Sequence, residues 1–380
     1  MDFRLPDEHE VLRSEIRALI DEYVDDDALE ASHRTGTNHC APLAVALGRA
    51  GILARAMPGA GKDPLAMWLL SSEAETAGAP FDSVGMSLVI AGVLDAVGTE
   101  AQKQTALAGL LSGEELVCFG LTEPQGGSDL PAITTKAVRD DEAGEWVITG
   151  AKMWTTMAHI SDWVFLLART GGEGSRHGGF TVFVIPMDRP GITIDPIWTV
   201  STERSNATFY DEVRVGDEAV VGEVDQGWAV MSLMLGFERG MASTGYLTPL
   251  LRRFHRWALD TGVIDDPLHR EHMAQVAIDA QVAELLTQRT VWTAATGRPP
   301  GTEGSMAKVF ATEAYQRHAR WAQAAAGPEG LLGLGADGAA ADGWIDYDVR
   351  HSIPMTLQGG TSEINRNNIA ERHLGLPRGR

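Results

Sequence analysis

The hydrophobic pattern of this chain changes its period twice, and this change limits the possible folds more than any other feature of the sequence. In the first 115 residues and again after Gly227, apolar residues recur at three- and four-residue spacing, which is typical of amphipathic helices. Between these regions lie short runs of β-branched and aromatic residues, separated by Gly, Pro and Asp clusters, which are typical of strands and turns. The order is therefore helical, then β, then helical.

The same pattern predicts the individual elements and three domains, at 1–115, 116–226 and 227–380. Predicted helices lie at 11–23, 43–50, 64–77, 83–111, 228–245, 247–261, 267–296, 304–326 and 362–374, with 25–36 as a polar connector. Predicted strands lie at 145–150, 163–169, 180–186, 191–194 and 208–215, which indicates a small antiparallel barrel or sandwich. Each helical block is too small and one-sided to bury its apolar face alone, so we expect the two blocks to pack together.

The composition excludes several classes of partner and site. The 380 residues include 31 Lys and Arg against 52 Asp and Glu, a formal net charge of −21, so the surface repels nucleic-acid phosphates and anionic lipid. Two cysteines form neither a disulfide framework nor a Cys-rich metal site, and histidine pairs such as His269 and His272 lack a third ligand, so no metal is predicted. The sequence shows no signal peptide and no apolar run approaching roughly 18 residues, so we expect a cytoplasmic protein.

Two loops carry residue types suited to binding an aromatic ligand. The run FGLTEPQGGSD at 119–129 combines glycines, which let a ligand approach the backbone, with the hydroxyl donors Thr122 and Ser128. The run KMWTT at 152–156 places a tryptophan beside paired hydroxyls, and a planar cofactor needs an apolar face and edge donors of this kind. An ordinary turn and a core tryptophan are the alternative interpretations.

Four runs carry a family pattern: TEPQGGSD at 122–129, KMWTT at 152–156, FTVFVIP at 180–186, and GGTSEINRNNIAERHLGLP at 359–377. Together they resemble the acyl-CoA dehydrogenase family, and the resemblance extends from the first predicted helix to the C-terminus. It implies an N-terminal helical domain, a middle antiparallel β-barrel and a C-terminal four-helix bundle. It also implies FAD as cofactor, an acyl thioester as substrate and α,β-dehydrogenation as the reaction.

The resemblance assigns cofactor contacts residue by residue. The 119–122 segment is implied to line the flavin ring, and Ser128 to touch both the cofactor and the thioester arm of the substrate. Trp154 is implied to pack against the ring system, Thr156 to lie near the hydride-accepting nitrogen, and 361–363 to contact the phosphates and ribose. The full cofactor set is Phe119, Leu121, Thr122, Gly127, Ser128, Trp154, Thr156, Thr361, Ser362 and Glu363.

The catalytic base requires a carboxylate near the α-carbon of the substrate. Many family members carry this glutamate just before Gly-Thr in the tail, where this chain has Gly359, which cannot act as a base. A second family arrangement places it in a Glu-Arg pair on the first helix of the C-terminal bundle, and Glu238 falls on that position. Its apolar neighbours favour a desolvated base over a surface ion pair. Arg239 is expected to organise the substrate site, and Glu123 to be a structural part of its loop.

One departure from the family bears on assembly. Many homotetrameric members carry an arginine that reaches a neighbouring subunit's FAD pyrophosphate, but the comparable 257–265 stretch has no arginine and includes Asp260. Glu329 adds a second acidic group to another segment resembling a cross-subunit contact, and acidic groups repel a pyrophosphate. The chain is therefore expected to form either a two-plus-two heterotetramer with a related subunit or a homotetramer in which another cation compensates. An electron-transfer flavoprotein is the implied electron acceptor.

Two other functions stay open at this stage. One is a non-catalytic subunit of a heteromeric acyl-CoA dehydrogenase, against which Glu238 and the intact flavin loops argue. The other is a flavin monooxygenase or nitroalkane-oxidase-like enzyme on the same fold. The sequence also leaves open a fatty or a steroid acyl group, and CoA or an acyl carrier protein as its carrier.

Overall fold

The N-terminal part of the chain is helical, as predicted. The computed structural model describes residues 4–171, 178–240, 245–296, 298 and 301–378, with backbone only at 239 and 240. The helices are α1 (Asp7–Tyr23), α2 (Asp26–Thr35), α3 (Ala41–Arg49), α4 (Ile52–Ala56), α5 (Pro64–Ala77), α6 (Asp82–Val97), α7 (Glu100–Gln102) and α8 (Ala108–Ser112), with a π-helical turn at Lys103–Leu107.

Local capping explains where α5 begins and ends, and the predicted range 64–77 is confirmed. The Asp63 side chain accepts hydrogen bonds from the backbone N–H groups of Leu65 and Ala66, at 3.1 and 3.2 Å, and Pro64 occupies the first helical position. Gly78 ends the helix in the left-handed conformation at φ 71°, which a glycine adopts without steric cost.

Two predictions for this part are wrong in detail. The stretch 25–36 is not a connector: α2 begins where the Asp25 side chain accepts from Ala28 N at 2.9 Å, and it ends at Gly36. Because α2 buries no residue fully, it lacks the apolar stripe by which helices are recognised. The predicted helix at 83–111 is interrupted at Gly98, and a Thr99 capping box with Gln102 starts α7.

The middle of the chain forms one eight-stranded sheet in the order β6-β7-β3-β2-β4-β5-β8, with β1 pairing β4. Its strands are β1 (Val117–Gly120), β2 (Lys136–Asp140), β3 (Glu145–Lys152), β4 (Trp163–Arg169), β5 (Phe180–Pro186), β6 (Ile192–Trp198), β7 (Arg204–Val215) and β8 (Val220–Val221). Most pairings are antiparallel, as predicted, but β1 and β2 each pair β4 in parallel. The short strands β1, β2 and β8 are additions to the sequence-based prediction.

Helices resume at Gly227 and continue to the end of the described chain. They are α9 (Gly227–Gly240), α10 (Leu247–Thr261), α11 (Pro267–Ala295), α12 (Glu303–Ala326), α13 (Trp344–Met355) and α14 (Ser362–Asn368), followed by a π-helical turn at Ile369–His373. The sequence missed α13, which contains Pro354. No helix within the described ranges is both long and apolar enough to cross a membrane.

One hydrophobic core is shared by all three parts of the chain. It joins buried residues of α1, α3, α5 and α6 to one face of the sheet, at Phe165 and Phe180, and to Met231 and Met234 of α9. A second core fills the other face of the sheet, and a third lies within the C-terminal helices. The shared core confirms that the helical blocks pack together, and it fixes α9 against the sheet, where the candidate site lies.

Candidate active site

The predicted base and the glycine at the usual base position lie next to each other. Glu238 is half-buried on α9, while Gly359 precedes α14 in a turn with φ +61°. A Cβ atom placed on Gly359 would lie 3.6 Å from Glu238 Oε1. Although 121 positions separate these residues in the sequence, a side chain on Gly359 would begin in contact with the Glu238 carboxylate. The side chain of Arg239 lies outside the described residues.

The loop after β1 is organised around a buried ion pair. Glu123 is 3% exposed, and its Oε1 atom lies 2.9 Å from the Nζ atom of Lys152, which is fully buried. The backbone N–H groups of Thr134 and Thr135 donate to the same carboxylate at 2.7 and 2.9 Å. Burial alone would raise the pKa of Glu123, but the Lys152 ammonium and these donors lower it to about 2. Glu123 is therefore ionised, and its hydrogen bonds and ion pair hold the loop after β1 in place.

Trp154 follows Lys152 of this ion pair by two residues and has an unusual backbone conformation. Its φ is +60° and its side chain is 55% exposed, although the next residue, Thr155, is fully buried. Thr155 is fixed to β7, because its N–H donates to Asn206 O at 2.9 Å and its carbonyl accepts from Asn206 Nδ2 at 2.9 Å. Met153 N donates to Thr122 O at 2.8 Å, which joins the two predicted flavin loops. The arrangement presents an indole ring to solvent from a rigid strand end.

The remaining residues of the first flavin loop differ in burial: two pack against the core and two are exposed to solvent. Phe119 and Leu121 are partly buried and pack against the shared core, as do Leu235 and Phe237 of α9. The first flavin loop and α9, which carries Glu238, therefore pack against the same hydrophobic core. Gly127 and Ser128 are exposed at the end of the loop, where a ligand can reach them.

The tail segment begins α14 with an ordered cap. The Thr361 side chain accepts from Ile364 N at 3.2 Å, and Asn365 Nδ2 donates to Gly360 O at 2.8 Å. Ser362 is buried and its Oγ atom has no hydrogen-bond partner, while Glu363 is exposed. A buried hydroxyl without a partner is costly unless a ligand supplies one.

Sequence reasoning missed Lys308 of α12, whose Nζ atom donates to Gly360 O in the turn beside Glu238. Lysines are frequent on helix surfaces, so no sequence signal distinguished this one. Among the described residues, no group of three His, Cys, Asp or Glu side chains could hold a metal ion.

Three family models match the chain in succession. The N-terminal domain of acyl-CoA dehydrogenase matches residues 6–114, the middle domain 118–213 and the C-terminal domain 225–374. The chain belongs to the acyl-CoA dehydrogenase family. The predicted family and fold are confirmed, and the protein is an acyl-CoA dehydrogenase, an oxidoreductase.

Curated relatives and solved structures agree with this assignment. The dehydrogenase is 34% identical over 292 residues to acyl-CoA dehydrogenase IpdE1 of Mycobacterium tuberculosis, covering 75% of this chain and 73% of the relative. It is 31% identical over 353 residues to FadE26 of the same organism, covering 87% and 86%. Among structures, a steroid ACAD described as Tcur3481-Tcur3483 has a TM-score of 0.90 at 30% identity, and the ChsE4-ChsE5 complex of M. tuberculosis has 0.88 at 30%; both comparisons cover 100% of each chain.

Proposed function

We propose that this acyl-CoA dehydrogenase carries out FAD-dependent α,β-dehydrogenation of an acyl-CoA thioester to the trans-2-enoyl-CoA, with Glu238 as the base. The observation that carries the proposal is the 3.6 Å between Glu238 Oε1 and a Cβ placed on Gly359. The carboxylate of Glu238 on α9 therefore lies next to Gly359, the position at which many family members carry the catalytic glutamate. This supports a catalytic chain over a non-catalytic subunit.

The residues around Trp154 fit a flavin. The Trp154 side chain is 55% exposed, so its indole ring offers a flat apolar face to a ligand. We assign the ring contacts to Phe119, Leu121, Thr122, Gly127, Ser128, Trp154 and Thr156. The tail residues 361–363 are assigned to the phosphates and ribose, and the partnerless Ser362 Oγ is consistent with a polar ligand there. Bound FAD supplies a two-electron acceptor.

Residues of this chain are proposed to remove the α-proton of the substrate. The Glu238 carboxylate would accept the α-proton, and the electron pair of the α C–H bond would become the second bond of the C=C unit. Bound FAD would supply the acceptor for the β-hydrogen and its electron pair. Leu235 and Phe237 beside Glu238 reduce water access, which raises the basicity of a carboxylate. Arg239 is assigned to organising the substrate, and Ser128 to contacting the thioester arm. An electron-transfer flavoprotein is the proposed acceptor of the electrons.

The substrate class is a fatty acyl-CoA or a CoA thioester with a steroid side chain. The similarity to a protein described as a steroid ACAD supports the CoA thioester with a steroid side chain. Anaerobic mixing of the purified flavoprotein with a panel of acyl-CoA esters tests the proposal, because a substrate removes the visible flavin absorbance. Bleaching by an acyl-CoA supports it. Bleaching only by nitroalkanes indicates the oxidase alternative, and a flavin-free chain inert with any partner indicates a non-catalytic subunit.

Replacing Trp154 should weaken cofactor binding. Trp154→Ala removes stacking worth about 0.5–1.5 kcal/mol beyond area burial, which corresponds to a roughly 2- to 12-fold weaker FAD Kd. The flavin absorption spectrum should shift as well. Titration of the apoprotein with FAD, followed by fluorescence, measures the first effect.

Trp198→Ala is the matched control, because Trp198 is 62% exposed on β6 and has no assigned cofactor role. It should leave FAD affinity unchanged. An unchanged spectrum and unchanged affinity in Trp154→Ala would show that Trp154 does not contact the flavin.

We propose that the chain completes its site with a related but different subunit. Asp260 and Glu329 are both exposed where the family would place cations toward a neighbouring pyrophosphate. The charge-assisted hydrogen bonds lost there are worth about 1.5–3 kcal/mol each. Similarity to the ChsE4-ChsE5 complex supports a partner of this kind.

Expressed alone, the chain should purify with little flavin or as an unstable or dimeric species. Co-expressed with a related dehydrogenase subunit, it should form a tetramer with about half as many flavins as chains. Light scattering and flavin absorbance measure both quantities. A yellow homotetramer, active alone with one FAD per chain, would exclude the heteromer and show that another cation compensates.

A further inference from the structure

A lysine from α12 reaches the same point as the proposed base. Lys308 Cε lies 3.9 Å from a Cβ placed on Gly359, and Glu238 Oε1 lies 3.6 Å from that position. The Lys308 Nζ atom also donates to Gly360 O, in the turn that leads into α14. Three separate elements, α9, α12 and the turn before α14, therefore meet around Gly359.

The charges around Lys308 make it a cation facing two carboxylates. Burial lowers its pKa to about 8, and the fields of Glu238 and Glu363 oppose that decrease. Lys308 is therefore protonated at neutral pH. By reciprocity, the attraction that Glu238 exerts on Lys308 acts in both directions, and the Lys308 charge favours the ionised form of Glu238.

We propose that Lys308 is a positioning residue of this active site: its ammonium ties the 359–361 turn to α12 and holds a positive charge against Glu238, which keeps the base ionised. The inference rests on the proposed role of Glu238. It assigns no contact with the substrate to Lys308. Substitutions that keep a donor without the charge, or that keep both, distinguish loss of the charge from loss of the tether.

Charged groups on the elements packed against Glu238 and Lys308 have partners of their own. On α6, Asp95 pairs with Lys62 at 3.1 Å, and Asp82 accepts a hydrogen bond from Asn38, is attracted by His351 and is repelled by Glu203. On α11, Glu284 accepts from Gln288. On α12 and α14, Glu313 pairs with Arg366, which also acts on Glu363. Unlike these groups, Lys308 lies beside Gly359 and donates to Gly360 O.

Four substitutions separate charge from tether. Lys308→Met removes both, Lys308→Gln keeps a donor without the charge, and Lys308→Arg keeps both. Lys103→Met is the matched control, because Lys103 pairs with Glu100 on the surface, at 3.3 Å, in the π-helical turn after α7. The full holoenzyme is used throughout, with any partner subunit it requires.

The decisive measurement is the pH profile of kcat/KM, from roughly pH 5 to 9. In Lys308→Met and Lys308→Gln, we expect the acid limb to move to higher pH by about one pH unit, with activity about tenfold below the parent on that limb and recovery at alkaline pH. Lys308→Arg and Lys103→Met should retain the parent profile. A uniform loss without displacement of the limb, or Lys308→Arg behaving like Lys308→Met, would overturn the proposal.

Failure of this inference is distinguishable from failure of the base assignment. If Glu238→Gln is inactive and the limb does not move in Lys308→Gln, only the role of Lys308 is refuted. If Glu238→Gln turns over normally, the base itself is misassigned and the Lys308 proposal falls with it. Should Lys308→Met fail to fold, as judged by FAD content and Tm, Lys308→Gln and Lys308→Arg still decide the outcome.

Discussion

Glu238→Gln is expected to lower kcat by at least about 10²–10⁴-fold while leaving FAD bound. Glutamine is nearly isosteric, so packing on α9 should persist, but an amide cannot accept the α-proton. Stopped-flow reduction of the flavin by an acyl-CoA isolates the chemical step from later electron transfer. Glu30→Gln on the surface of α2 is the control and should react at the parent rate.

Moving the carboxylate tests the geometry directly. In the double variant Glu238→Gly with Gly359→Glu, the Cβ atom of the new glutamate lies 3.6 Å from the former position of Glu238 Oε1. Part of the lost rate should therefore return. Rescue should be incomplete because Gly359 has φ +61°, a conformation that strains a glutamate. Rapid flavin reduction in Glu238→Gln would refute the base assignment, and absence of any rescue would refute the shared α-carbon position.

Breaking the buried ion pair should have the second large effect. Glu123→Ala leaves Lys152 buried without its counterion, and removal of one partner of a buried pair costs about 3–5 kcal/mol. The hydrogen bonds from Thr134 and Thr135 are lost as well. We therefore expect a large fall in Tm and poor FAD retention, because the pair supports both flavin loops. Calorimetry of the purified variant measures the change.

The matched control replaces both charges together. Glu123→Leu with Lys152→Met should recover much of the lost stability, because apolar replacement of a whole buried pair is often neutral. Since the folded pKa of Glu123, about 2, lies below its unfolded value, the carboxylate's contribution is present above the unfolded pKa. It is lost as the pH falls through the unfolded value toward 2. A single variant as stable as the parent would show that the pair contributes little.

The sequence was most informative where local chemistry decides local structure. Predicted β4, β5 and α10 match the structure at both ends, because the hydrophobic period and the flanking turn residues agree there. The failures have physical causes. Helix α2 has no buried face, and α13 buries Asp348 and His351, which pair with Arg253 and Glu203 from distant elements. A buried polar residue that pairs with a distant residue does not add to the apolar spacing by which a helix is predicted from sequence.

The site was predictable only in its parts. Family runs supplied Trp154, Glu238 and the empty position at Gly359, but only the fold shows that the last two meet. Lys308 was missed because the turn that it holds follows α13 and lies far along the chain. The predicted domain limits and the individual cofactor contacts stay predictions.

The shared core also limits how this protein can change during evolution. Phe165 and Phe180 of the sheet pack among the N-terminal helices and against Met231 and Met234 of α9. A middle segment exchanged for one from a distant relative would have to match two foreign surfaces at once, and packed cores tolerate such mismatch poorly. The three matched regions are therefore not interchangeable modules, and sequence change in any one of them requires compensating change in its neighbours.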